Sequence, residues 1–199
     1  MLGVARADAQ PGGDRDRKND RPGLLGRMAS FQTETPEHAY DIILVNPTRT
    51  SVGVSVVSYT DVEGYVEMTG PAGSAPARTA VKTLKAGEPT VFTVTGLRED
   101  RGYTYTWWSR KAGAKGTYVS SDAYSFHTTR AEGSPFVFTV IADSHLDGNM
   151  STAVYERSLA GALADHPDFH MDLGDTFMTD KRGKEFRDAA PQYVAQRYY

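Results

Sequence analysis

Residues 136–175 read FVFTVIADSHLDGNMSTAVYERSLAGALADHPDFHMDLGD, and the order of signals within them decides the fold of this part of the chain. Phe136 to Ala142 is an almost unbroken apolar run, the pattern of a strand covered on both faces. It delivers Asp143 and His145. Asp147-Gly148-Asn149 marks a loop, and Ser151 or Thr152 caps a helix reaching about Asp165. In that helix Tyr155, Leu159 and Leu163 recur at four-residue steps as a buried stripe. Pro167 ends the helix, and FHMDL starts a second strand that delivers Gly174 and Asp175. In a right-handed βαβ crossover the two strands run parallel. Asp143, His145 and Asp175 then emerge together at the carboxyl edge of the sheet, where open α/β sheets place ligands.

Upstream the pattern changes. Between about Ala39 and Arg130, short β-branched and aromatic runs alternate with turn signals: YDIILVN, SVGVSVVSY, GYVEMT, TVFTVTGL, YTYTWWS and AYSFHTT. Tyr103, Tyr105 and Trp107 alternate with polar neighbours, as do Phe92 and Val94 with Val91, Thr93 and Thr95. Each strand therefore has one buried and one exposed face and needs a facing sheet. Trp107 and Trp108 read as core or rim packing. Leu97, followed six residues later by Tyr103, resembles the tyrosine corner of fibronectin type III domains. With SFHTT as closing strand, the segment looks like the fibronectin-like domain that precedes the catalytic domain of purple acid phosphatases. Ala131 to Pro135 (AEGSP) punctuates the boundary. The expected organisation is a leader over 1–36, an all-β, fibronectin III-like sandwich over 37–130, and a βαβ unit over 135–199.

The leader mixes Gly, Pro and charges of both signs without periodicity and reads as disordered. Its Arg and Lys residues are interleaved with Asp14, Asp16 and Asp20, which argues against an anion-binding arm. Ala7-Asp8-Ala9 has the small-x-small form of a signal cleavage site, the basis for expecting a secreted or periplasmic parent. The chain has 199 residues, 39% of them hydrophobic and 11% aromatic, enough for an ordinary packed core. A net charge of −3 with dispersed Lys and Arg gives no ground for a nucleic-acid partner. No apolar run approaches the roughly 20 residues of a membrane-spanning helix. With no cysteine in the sequence, any metal must be held by carboxylate, imidazole, amide or water.

Asp-x-His alone carries little information, and Asp168 with His170 repeats it. That second pair lies at the entrance of a strand instead of beyond its exit, so it is read as standing outside the site, with His170 a group behind the ligands. What sets Asp143 and His145 apart is the succession of strand, turn, helix, strand and Gly-Asp. Asp143-Ser144-His145 and Gly174-Asp175-Thr176 resemble the first two signature blocks of the calcineurin-like metallophosphoesterase superfamily, which includes the purple acid phosphatases. The resemblance implies that 135–199 is the first βαβ part of an α/β metallophosphoesterase domain. It implies Asp143 and His145 as ligands of one metal and Asp175 as the bridge to a second, with Gly174 allowing a tight turn. The reaction implied is hydrolysis of a phosphomonoester or phosphodiester by a metal-bound hydroxide, with no side-chain nucleophile. Two ions about 3.5 to 4 Å apart suit that chemistry.

Two departures from the family pattern bear on function. The position three after Asp175 is Met178, where purple acid phosphatases carry a metal-binding tyrosine, so Fe, Mn and Zn all stay open as the ion. The later blocks, Gly-Asn-His and Gly-His-x-His, are absent, and Gly148-Asn149 is followed by Met150. The expectation is a fragment carrying half of a metal site and inactive, or nearly so, by itself. A two-stranded sheet should also leave faces uncovered. The competing expectation is a non-catalytic binding or adhesion module built on the sandwich. A dinucleotide-binding unit is disfavoured because no Gly-rich cradle follows Ile141.

Overall fold

The computed structural model describes residues 35–71, 76–146, 150–176 and 186–199, without the side chains of 186–188. Residues 1–34 of the leader expected over 1–36, the Asp147-Gly148-Asn149 loop and Met178 lie outside the described residues. Cα packing divides the chain into two units, one comprising Glu37–Phe138 with Pro167–Phe169, the other containing Thr139–His166 and His170–Tyr199.

The first unit is a β-sandwich. One sheet has three antiparallel strands in the order β1 (Tyr40–Val45), β2 (Ser51–Ser58) and β6 (Pro89–Thr95). The other has six strands along the path β4 (Ala77–Arg78), β3 (Val62–Thr69), β7 (Gly102–Lys111) and β8 (Val119–Ser120). In it β5 (Lys82–Leu84) also pairs with β3, and β9 (Tyr124–His127) with β7. The period-2 pattern sorts the side chains. Ile42, Val54, Val56, Phe92 and Val94 on one sheet meet Val66, Met68, Tyr103, Tyr105, Trp107 and Phe126 on the other in a single core. Phe92 and Trp107 touch across it with ring centroids 5.1 Å apart. Trp108 faces the opposite side and stacks on its cross-strand partner Tyr65, ring centroids 6.2 Å apart.

Close approach explains one glycine. A Cβ on Gly64 would lie 2.3 Å from the Trp108 carbonyl oxygen and 2.3 Å from Trp107 Cη2, so only a residue without a side chain fits. Asp41 is buried, yet its carboxylate is paired. His38 Nε2 lies 3.0 Å from one oxygen, and the Tyr59 hydroxyl donates to the other. The Tyr103 phenol, as the sequence led us to expect, ties the chain back by accepting the Arg98 N–H at 2.8 Å.

The remaining elements are β10 (Phe138–Ile141), α1 (Thr152–Ala164), β11 (Phe169–Asp172) and α2 (Phe186–Tyr198). β10 and β11 form a two-stranded sheet. Its parallel sense follows from backbone bonds that climb both segments together: Asp168 N–H to Val137 C=O, and Leu173 N–H to Ile141 C=O. Three expectations need correction here. β10 is not covered on both faces, since Phe136, Val137, Phe138 and Val140 are exposed; among the described residues the sheet is only the two strands β10 and β11, and one so small leaves apolar faces open. The stripe on α1 is likewise incomplete: Tyr155 is buried, but Leu163 is 59% exposed. Finally, the sequence from Lys184 to Tyr199 reads as a largely helical tail broken near Pro191, whereas Pro191 sits inside α2. Gln192 and Ala195 just after it are fully buried.

Candidate metal centre

Beyond β10 and β11 the two chains stay zipped. Asp143 N–H donates to the Gly174 carbonyl at 3.0 Å, and Leu146 N–H to the Thr176 carbonyl at 3.0 Å. Along each exit, side chains alternate between outward and inward. Asp143 and Asp175 are 66% and 64% exposed and His145 35%, whereas Ser144, Leu146 and Thr176 between them are buried. The outward set converges. His145 Nε2 lies 3.6 Å from Asp143 Oδ1 and 3.9 Å from Asp175 Oδ2. One ligand atom from each of the three residues falls within 4.8 Å of the others.

Those spacings fit one cation. Two bonds of about 2.1 Å each place their ligand atoms no more than about 4.2 Å apart. Both distances from His145 lie inside that limit, and the three ligand atoms together lie within 4.8 Å of one another. The donor set, two carboxylates and an imidazole, suits Fe, Mn or Zn.

The backbone adds a second mark. Six non-glycine residues among those described have positive φ, and three of them are Asp143 (56°), His145 (45°) and Asp175 (53°), beside Gly174 at 95°. Left-handed backbone is strained for residues bearing a Cβ, and Asp and His tolerate it better than most. Such strain persists only where the surroundings over-determine it, and it concentrates at functional sites.

The second Asp-x-His pair is placed otherwise, at the start of β11. The carboxylate of Asp168 accepts Arg130 Nε at 2.7 Å and the Val137 N–H at 2.9 Å, fastening the beginnings of the two strands. Burial pulls this carboxyl upward, but the Val137 N–H and Arg130 outweigh it and hold the pKa below the ordinary value. His170 Nδ1 pairs with Thr139 Oγ1 at 2.8 Å across the sheet.

Reading the sequence missed Asp172. Its Oδ1 accepts the Gly174 N–H at 2.8 Å, and its Oδ2 faces Gln196 Nε2 at 3.0 Å and the Thr176 hydroxyl at 3.3 Å. Asp172, Gly174, Asp175, Thr176 and Gln196 line an open depression of about 410 Å³. Desolvation raises the pKa of the buried Tyr155 phenol, and the Asp172 charge adds to the rise. The available signal was the Asp-x-Gly spacing, which favours a turn closed by the Asp side chain.

No family description and no curated protein matches the chain. Among solved structures it is similar to the purple acid phosphatase PPD1 from yellow lupin (Lupinus luteus) seeds, with a TM-score of 0.59 and 19% identity over 80% of this chain and 33% of that one. The chain thus spans about a third of that phosphatase. At this identity the likeness is one of fold alone. Weaker likenesses are to the sensor domain of the anti-sigma factor RsgI4 of Pseudobacteroides cellulosolvens (TM-score 0.34, 13% identity, 46% of this chain and 94% of that one). Another is to a myokine (TM-score 0.36, 13% identity, 48% of this chain and all of the other). No helix among the described residues is long and apolar enough to cross a membrane.

Proposed function

We propose that residues 135–199 belong to a metallophosphoesterase-like domain following a fibronectin III-like sandwich over 37–130, and that Asp143, His145 and Asp175 hold metal for phosphoester hydrolysis. The observation that carries this reading is the convergence of those three side chains within 4.8 Å at the carboxyl ends of two parallel strands. Likeness of fold to the lupin phosphatase supports it. The ions, when bound, would lower the pKa of water and neutralise phosphate oxygens.

The protein's part is positioning. Asp143 and His145 would grip one ion through an oxygen and a nitrogen, and Asp175, with two carboxylate oxygens, would span from it to a second. All three keep enough exposure for an ion and a phosphate ester to reach them. With ligands for one ion among the described residues, hydrolysis of p-nitrophenyl phosphate by the 199-residue chain itself should stay near background. Full activity would require the second ion's ligands as well.

Calorimetric titration with Mn²⁺ or Zn²⁺ tests the site. Binding should weaken at least about 10-fold in both Asp143→Ala and Asp175→Ala, with the β-sheet circular dichroism unchanged. Absence of binding to the unmodified chain, or binding indifferent to both substitutions, would remove the site and favour a binding module built on the sandwich.

A further inference from the structure

We infer that Asp172 is a positioning residue that locks the two ligand-bearing loops into a single arrangement. Its consequence for metal affinity rests on the reading of the site just given, while the lock itself concerns only the loops. Asp172 is the last residue of β11, and both of its oxygens are engaged by hydrogen bonds. Oδ1 takes the Gly174 N–H at 2.8 Å, which closes the turn that presents Asp175. Oδ2 takes Gln196 Nε2 from α2 at 3.0 Å and the Thr176 hydroxyl at 3.3 Å.

The Thr176 hydroxyl connects the two loops. Donating to Asp172, it receives the Ser144 hydroxyl at 3.4 Å, and both hydroxyls are buried. The chain Ser144, Thr176, Asp172 therefore runs beneath the site, one residue inward from each ligand. Ser144 sits between Asp143 and His145, and Thr176 directly follows Asp175. Both hydroxyl contacts are long for O–H···O bonds, so the firm anchors of the network are the Gly174 N–H and Gln196 Nε2 bonds to Asp172, at 2.8 and 3.0 Å. Backbone bonds from Asp143 to Gly174 and from Leu146 to Thr176 close the same loops from above. Left-handed residues need surroundings that hold them, and this network is what the described residues supply at Asp143, His145 and Asp175. Supporting groups of this kind orient ligands and contribute to metal affinity.

The experiment is amide hydrogen exchange by NMR together with Mn²⁺ titration, on the full 199-residue chain and three variants. In Asp172→Ala, exchange at Gly174, Asp143 and Leu146 should accelerate at least about 10-fold while the core amides of β2 and β7 keep their protection. Mn²⁺ affinity should fall about 10-fold. Thr176→Val keeps the shape but loses the hydroxyl and should accelerate Asp143 and Leu146. Thr176→Ser keeps the hydroxyl and should restore both protection and affinity, a rescue that a purely packing role would not give.

Acceleration confined to Gly174 in Asp172→Ala would reduce Asp172 to a local turn former and overturn the lock. So would a Thr176→Ser variant that behaves like Thr176→Val. Should Asp172→Ala fail to fold, the Val and Ser pair at Thr176 decides by itself. If the unmodified chain binds no Mn²⁺ but the exchange pattern appears, the lock stands and the metal reading falls.

Discussion

Replacing Asp175 by glycine and, separately, by alanine separates backbone strain from ligand chemistry. Both changes delete the carboxylate, so both should abolish the metal contact. They differ in backbone freedom. Asp175 has φ 53°, a conformation that costs an alanine about 1–2 kcal/mol and glycine almost nothing. Glycine gives back about 0.5–1 kcal/mol through the greater freedom of its unfolded chain. The glycine variant should therefore be more stable than the alanine variant by about 0.5–1 kcal/mol. For a chain of this length that is about 1–4 °C in the midpoint of thermal unfolding. The same ordering is expected at Asp143 (φ 56°) and His145 (φ 45°), tested singly because neighbouring sites do not add. Melting curves by circular dichroism in the presence of a chelator give the comparison. Alanine variants as stable as the glycine variants at all three positions would show that the left-handed backbone is not held, and the strain would no longer mark a site.

Other perturbations probe the scaffold. Gly64→Ala forces a Cβ to within 2.3 Å of the Trp108 carbonyl and Trp107 Cη2, and should cost about 1–3 kcal/mol or more in a urea titration; a neutral result would refute that packing. Tyr103→Phe leaves the Arg98 N–H without its phenol acceptor and should cost about 1 kcal/mol with an unchanged m-value. At Asp168 the native pKa is depressed, so its stabilisation is present above the unfolded carboxylate value of about 3.9 and is lost as pH falls through the lower folded value. The gap in melting temperature between the unmodified chain and Asp168→Asn should therefore be open near pH 6 and close as the pH falls well below the ordinary carboxylate value; a gap independent of pH would contradict the ion-pair account.

Much of the sandwich was legible because period-2 alternation survives in strands of four residues or more. Tyr103, Tyr105 and Trp107 are buried as the pattern requires. β4, β5 and β8 have two or three residues each, too few for any period to show. The three candidate ligands were findable from the succession of elements around them. Their left-handed backbone was not, since φ is set by the zipped loops and by the Asp172 network, and no local pattern encodes either. Leu163 and the β10 side chains show the converse. Their apolar character was read correctly, but burial depends on a partner layer, and among the described residues β10 has only β11 beside it in the sheet. At Pro191 the local rule gave way to tertiary packing, with Gln192 and Ala195 fully buried just beyond it.

The most direct measurement is a diffraction experiment on crystals of the 199-residue chain soaked in Mn²⁺, with data collected for anomalous scattering. A single strong peak should appear within about 2.0–2.3 Å of a carboxylate oxygen of Asp143, a ring nitrogen of His145 and a carboxylate oxygen of Asp175. A map with no peak there, or with manganese bound elsewhere while these three side chains point apart, would contradict the metal centre and the phosphoesterase proposal with it.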